Sequence, residues 1–109
     1  MQTTLTKIRT LILNAKNISD PKKKEMLRYV ETLDHELTEL AKDKQEDAKK
    51  IAYYAHLKTE KALGENATDH SEDEITHGFK GAVEEFEISH PKLYQTLQTL
   101  SISLSSLGV

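Results

Sequence analysis

The sequence contains no cysteine and no tryptophan. Without cysteine there is no disulfide framework, no thiolate nucleophile and no cysteine-ligated zinc, an absence compatible with a reducing cytoplasm. Prolines are limited to Pro21 and Pro91, and glycines to Gly64, Gly78, Gly81 and Gly108. No glycine-rich phosphate loop, nucleophile elbow or Ser/His/Asp spacing supports hydrolase chemistry. There is no arginine cluster and the net charge is -3, which argues against nucleic-acid binding. Near the N-terminus the only apolar run, Leu11-Ile12-Leu13, is too short for a signal peptide and far too short to span a bilayer. The chain is expected to be cytoplasmic, soluble and unanchored, with no membrane partner.

What is present is room for one domain. The 109 residues read as a single helical domain over 1–109, with a core only just large enough to offset the entropy of folding. Dimerisation would help. The charge is unevenly spread: residues 1–64 hold 13 Lys or Arg against 10 Asp or Glu, whereas residues 65–109 hold only Lys80 and Lys92 against eight acids. A basic long helix and an acidic C-terminal third are expected to attract each other within or between subunits, weakly for exposed pairs.

Between Pro21 and Gly64 nothing breaks a helix. A helix of roughly 40 residues would extend about 60 Å, well beyond the ~30–35 Å expected across a domain this size. On a helical projection Met26, Val30, Leu33, Leu37, Leu40, Ala41, Ala48, Ile51, Ala55 and Ala62 share one stripe. The phase survives the polar stretch Lys42–Lys50, where only Lys44 and Ala48 lie on that side. Continuity is therefore the preferred reading, with a break in that stretch as the alternative. A continuous stripe demands a partner, so Met26, Val30, Leu33, Leu37, Leu40, Ile51 and Ala55 are candidate contact residues in a coiled-coil dimer or larger oligomer. Tyr53 and Leu57 lie opposite, as ordinary surface or a second contact face.

Three further segments complete an all-α reading with four helices and one long central helix, a hairpin or bundle finished by self-association. From Thr4 to Asn17, Leu5, Ile8, Leu11, Ile12 and Ala15 recur at helical spacing. Ser19 or Asp20 caps the long helix ahead of Pro21. Gly64 can end it. Ser71-Glu72-Asp73-Glu74 matches a capping box, and the third helix then buries Ile75, Phe79, Ala82, Val83 and Phe86. The two phenylalanines are expected to fill the space over Ala48, Ala55 and Ala62. Pro91 opens the fourth helix after Ser89-His90. Its Leu93, Leu97, Leu100, Leu104 and Leu107 form a seam that reads first as bundle core and alternatively as an oligomer contact, with Gly108-Val109 docked at the end. No residue after Lys92 has a charged side chain.

From Phe79 to Val109 the chain resembles a known family. The string Ala82-Val83-Glu84-Glu85-Phe86-Glu87-Ile88-Ser89-His90-Pro91-Lys92-Leu93, then the leucine-seam helix and Ser106-Leu107-Gly108-Val109, is similar to the end of small bacterial proteins catalogued as domain of unknown function 4404. The resemblance covers about the last third and centres on Phe86-Glu87-x-Ser89-His90-Pro91. It implies a small helical protein of bacterial type and brings no activity, substrate or cofactor with it.

One constellation could carry chemistry: Glu74-x-x-His77 and Glu87-x-x-His90. Di-iron carboxylate bundles use this spacing because a carboxylate and an imidazole on adjacent turns reach one metal. Here both copies sit near the ends of one short helix, Glu74 and His77 project away from the apolar face, and His90 precedes a proline. Only pairing of copies across a subunit interface would assemble the set. His70, Asp73 and His77 are turn-spaced but read better as solvated residues at a helix start. Lys22-Lys23-Lys24, Lys42, Lys44, Lys49 and Lys50 are interleaved with acids, the pattern of a solvated helix face. The sequence thus points to a non-enzymatic interaction or scaffolding module that self-associates, without cofactor and with an unidentified protein partner possible; a metal-binding oxidoreductase or storage protein is the competing reading.

Overall fold

A computed structural model of the chain describes residues 1–16, 18–63 and 72–107. Among these residues there are five helices: α1 (Gln2–Asn14), α2 (Asp20–Ala41), α3 (Gln45–Ala62), α4 (Glu72–Glu84) and α5 (Pro91–Leu107). Asn17, Gly64, His70, Ser71 and Gly108-Val109 lie outside the described residues, so the expected glycine cap, capping box and docked C-terminus do too. The side chains of Glu72, Asp73, Thr76 and Leu107 are likewise undescribed.

The all-helical expectation holds, and the long helix does not. It is two helices, α2 and α3, separated at Lys42–Lys44. Asp43 and Lys44 still donate to the Leu40 carbonyl, at 3.1 and 2.8 Å. Lys44 then leaves helical geometry at φ −136° and ψ 67°, and α3 restarts with Glu46 and Asp47 in its first turn, where carboxylates favour the helix dipole. No glycine or proline is needed. The three residues at the break have nothing apolar to bury, so helical continuity there gains little. Turning back brings Ile51, Ala52 and Ala55 into the core that holds Met26, Val30, Leu33, Leu37 and Leu40. The stripe is therefore buried without a second chain. The Cα radius of gyration of 12.9 Å and extents of 37 × 28 × 23 Å match a compact chain of about 100 residues, for which about 13 Å is usual, and leave no room for a 60 Å rod.

Helices α1 and α2 form an antiparallel hairpin. Ser19 caps α2 by accepting from the Lys22 N–H at 3.4 Å, with Pro21 in the first turn. Leu5, Ile8 and Ile12 are buried, and Leu11 and Ala15 are half-buried. Polar pairs fix the register: Gln2 donates to Asp34 at 2.8 Å, and Arg9 reaches Glu31 at 2.9 Å and Asp34 at 2.7 Å. At the other end the Lys23 ammonium donates to the Leu13 carbonyl at 3.0 Å.

Helix α3 is the centre of the bundle, packed by all four other helices. Its second half is buried nearly all round, including Leu57, Lys58, Thr59 and Glu60. Leu57 thus belongs inside, whereas Tyr53 remains half exposed, so the pair does not form one contact face. Helix α4 runs antiparallel to α3: Gly78 lies against Tyr54, and Phe86 lies under the Lys44 ammonium at 5.5 Å from the ring centroid. Phe79 and Phe86 are both in the core cluster, together with Ala48 and Ala55. Helix α4 ends at Glu84, earlier than the Ser89-His90 expected, and residues 85–89 continue as turns. Helix α5 places Leu93, Leu97, Leu100 and Leu104 in the core, packed on α2 and α3.

Candidate functional site

The Glu-x-x-His residues do not gather. Glu74 and His77 are exposed on α4, Glu87 is exposed on the following turn, and His90 is half-buried. His90 is occupied as a junction. Its N–H donates to the Phe86 carbonyl at 2.9 Å and its carbonyl accepts from the Tyr94 N–H at 3.1 Å. Its ring stands edge-on to Phe86 with centroids 5.7 Å apart, and Nδ1 lies 3.1 Å from the Ser89 hydroxyl. Among the described residues no group of three or more His, Asp or Glu side chains is arranged to hold a metal ion.

The expected contact residues fare differently. Met26, Val30, Leu33, Leu37, Leu40, Ile51, Ala55, Leu93, Leu97, Leu100 and Leu104 are all at most 1% exposed. Each is spent inside one chain, so none offers a surface to a partner while the domain stays folded.

Two polar clusters are built into the bundle instead. At the hairpin, partial burial would raise the Asp34 carboxyl, but hydrogen bonds from Gln2 and Arg9 and the nearby guanidinium outweigh it and hold it below the usual carboxylate value. On α3, His56 Nδ1 lies 3.5 Å from a Glu60 carboxylate oxygen. Burial pushes the imidazole below its ordinary value; Glu60 opposes that shift and Lys7 of α1 adds to it. Thr59, fully buried between them in sequence, satisfies its hydroxyl by donating to the Ala55 carbonyl at 2.8 Å. The Gln2, Arg9, Glu31 and Asp34 contacts tie α1 to α2, whereas the His56–Glu60 and Thr59–Ala55 contacts lie within α3.

An open groove does exist, between α4 and α5. Phe79, Lys80 and Val83 form one wall and Tyr94, Gln98 and Ile102 the other, around a space of about 310 Å³. It arises because α4 follows α3 closely and touches α5 only lightly. The lining is mainly apolar, with Lys80 and Gln98 at the polar margin. Ile102, 70% exposed, stands at its edge. Sequence reasoning passed over Ile102 because it lies between Leu100 and Leu104, off the leucine seam. The available signal was an isoleucine at a solvent-phase position of a helix with no charged side chain beyond Lys92.

A family model described as Domain of unknown function (DUF4404) matches residues 26–109. The match takes in most of α2 and all of α3, α4 and α5, so it reaches well beyond the last third that the Phe86–Leu93 string suggested. No curated protein and no solved structure matches the chain. No helix among the described residues is long and apolar enough to cross a membrane.

Proposed function

The chain belongs to the family described as Domain of unknown function (DUF4404), and from that premise we propose that it is a non-enzymatic helical interaction module that associates with copies of itself. The observation that carries this reading is the open apolar groove beside the exposed Ile102. Leu13, Tyr53 and Ile88 are the other exposed large apolar side chains, and they lie on α1, α3 and the turn after α4 rather than beside this groove. Association through α5 also meets no like-charge repulsion, because that helix carries no charged side chain after Lys92. A scaffolding role in the cytoplasm, without a cofactor, is compatible with a cysteine-free chain.

Sedimentation velocity from micromolar to millimolar protein tests the reading. A reversible rise in mass with concentration supports it. A strict monomer throughout the range contradicts self-association. Elemental analysis tests the non-enzymatic part: near-stoichiometric iron, manganese or zinc that is lost on His90→Asn would overturn it.

A further inference from the structure

The turn between α2 and α3 is almost a helix itself. Lys42 keeps right-handed helical angles, φ −61° and ψ −35°, and the Lys44 N–H already makes the helical bond to the Leu40 carbonyl at 2.8 Å. On the far side the Ala48 N–H bonds to the Lys44 carbonyl at 3.1 Å. Lys44, at φ −136° and ψ 67°, is where the chain leaves helical geometry. One continuous helix would need the N–H groups of Gln45, Glu46 and Asp47 to reach the carbonyls of Ala41, Lys42 and Asp43. We propose that Lys42–Lys44 is an exchange hinge: with Lys44 in helical geometry α2 and α3 fuse, and two copies trade their α3–α5 halves in a swapped dimer. The inference rests on the self-association reading and gives it a route that does not use the α4–α5 groove.

The core selects a second copy as the partner. In the folded chain α3 packs on α1 and α2, and α5 packs on α2. Straightening the hinge separates these surfaces within one chain. It uncovers Met26, Val30, Leu33 and Leu37 on α2 and Ile51 and Ala55 on α3, all at most 1% exposed in the folded chain. The halves of a second copy restore the same contacts residue for residue, so the interface is the core itself rather than a surface patch.

The phase of the apolar stripe supports this geometry. A hairpin does not require its two helices to be in phase, because the turn can absorb a rotation between them. Two straightened helices lying antiparallel do require it, since each must turn both halves of its stripe towards the other copy. Continued as one helix, those six side chains fall within a quarter-turn of one another. The hinge also has no glycine or proline to resist straightening. Its surroundings mix Lys42 and Lys44 with Asp43, Glu46 and Asp47, so copies meeting there bring no single-sign repulsion. Opening exposes core surface, so exchange passes through unfolded chains, and the folded monomer keeps its bend.

Refolding from urea at millimolar protein, followed by size-exclusion separation, gives the dimer to test. Amide hydrogen exchange reads the hinge directly, because Gln45, Glu46 and Asp47 open α3 without a side-chain cap and their N–H groups are among those that a helix start leaves unpaired. These amides should exchange rapidly in the monomer fraction and gain protection in the dimer. Lys44→Ala and Lys44→Gly both remove the ammonium over Phe86 and differ in helix propensity at two hinges per dimer. The alanine variant should therefore dimerise about 30-fold more tightly than the glycine variant. Ile102→Lys should leave this dimer intact. The hinge is overturned, and self-association through another surface left standing, by a dimer whose Gln45–Asp47 amides exchange as fast as the monomer's, by equal dissociation constants for the two Lys44 variants, or by loss of the dimer in Ile102→Lys. A chain that stays monomeric after refolding, in wild type and Lys44→Ala alike, removes both.

Discussion

The Tyr54 ring of α3 lies directly on the backbone of Gly78 in α4. A Cβ placed on Gly78 would stand 2.6 Å from the ring carbons Cε1 and Cζ and 2.8 Å from the hydroxyl oxygen. This close approach lets α4 follow α3 tightly.

Gly81, three residues along the same helix, has nothing within 4 Å of where a Cβ would sit. Gly81→Ala should therefore stabilise the fold by about 0.5–1 kcal/mol through helix propensity alone. Gly78→Ala gains the same propensity but must displace the ring, and overpacking of this kind costs about 1–3 kcal/mol. Chemical denaturation should rank Gly81→Ala above wild type and Gly78→Ala below Gly81→Ala. Equal gains at both positions would show that Tyr54 does not hold α4.

Phe86 is 1% exposed and Tyr53 is 48% exposed. Phe86→Ala should cost about 3–5 kcal/mol, including the loss of the ring that faces Lys44 and His90. Tyr53→Ala should cost far less. Comparable small shifts in urea midpoint for both variants would place Phe86 outside the core.

Stability should fall as the pH is lowered past neutrality. His56 has a native pKa below its ordinary 6.5, so near that pH the unfolded chain binds more protons than the native one, and unfolding becomes easier as pH decreases. The loss begins as pH approaches 6.5 and stops growing once the pH is below the native value. Asp34 acts in a separate window: its lowered carboxyl contributes stability above the ordinary value of 3.8 that is lost as pH drops through the native one. Melting curves at about pH 7.5 and pH 5.5 isolate the histidine effect. His56→Gln should melt with a shallower dependence on pH over that interval, and an unchanged slope would contradict the assignment.

The regular parts of this fold were legible because they follow from local chemistry. Apolar spacing marks the faces of α1, α2 and α5, Ser19 with Pro21 marks the start of α2, and Pro91 marks the start of α5. The break at Lys42–Lys44 was not, because the usual signal for a helix end is glycine or proline and neither is present. Phase continuity between α2 and α3 was read as one rod, yet a stripe in constant phase is also compatible with two helices folded onto a shared core. Burial of Leu57, Lys58, Thr59 and Glu60 was equally hidden: it depends on four helices surrounding α3, and no single-helix projection contains that. The groove is a relation between α4 and α5, and the relative placement of two helices is not contained in the periodicity of either one.

The fold-back at Lys42–Lys44 decides whether the Met26–Ala55 stripe is core or interface, and one distance tests it. Spin labels at Lys24→Cys and Lys61→Cys, in a chain with no other cysteine and diluted into unlabelled protein, can be measured by double electron–electron resonance. The hairpin of α2 and α3 predicts a separation within the 37 Å longest extent of the domain, apart from the length of the label linkers. A peak near 55 Å, the span of an unbroken helix between these positions at about 1.5 Å per residue, would contradict it.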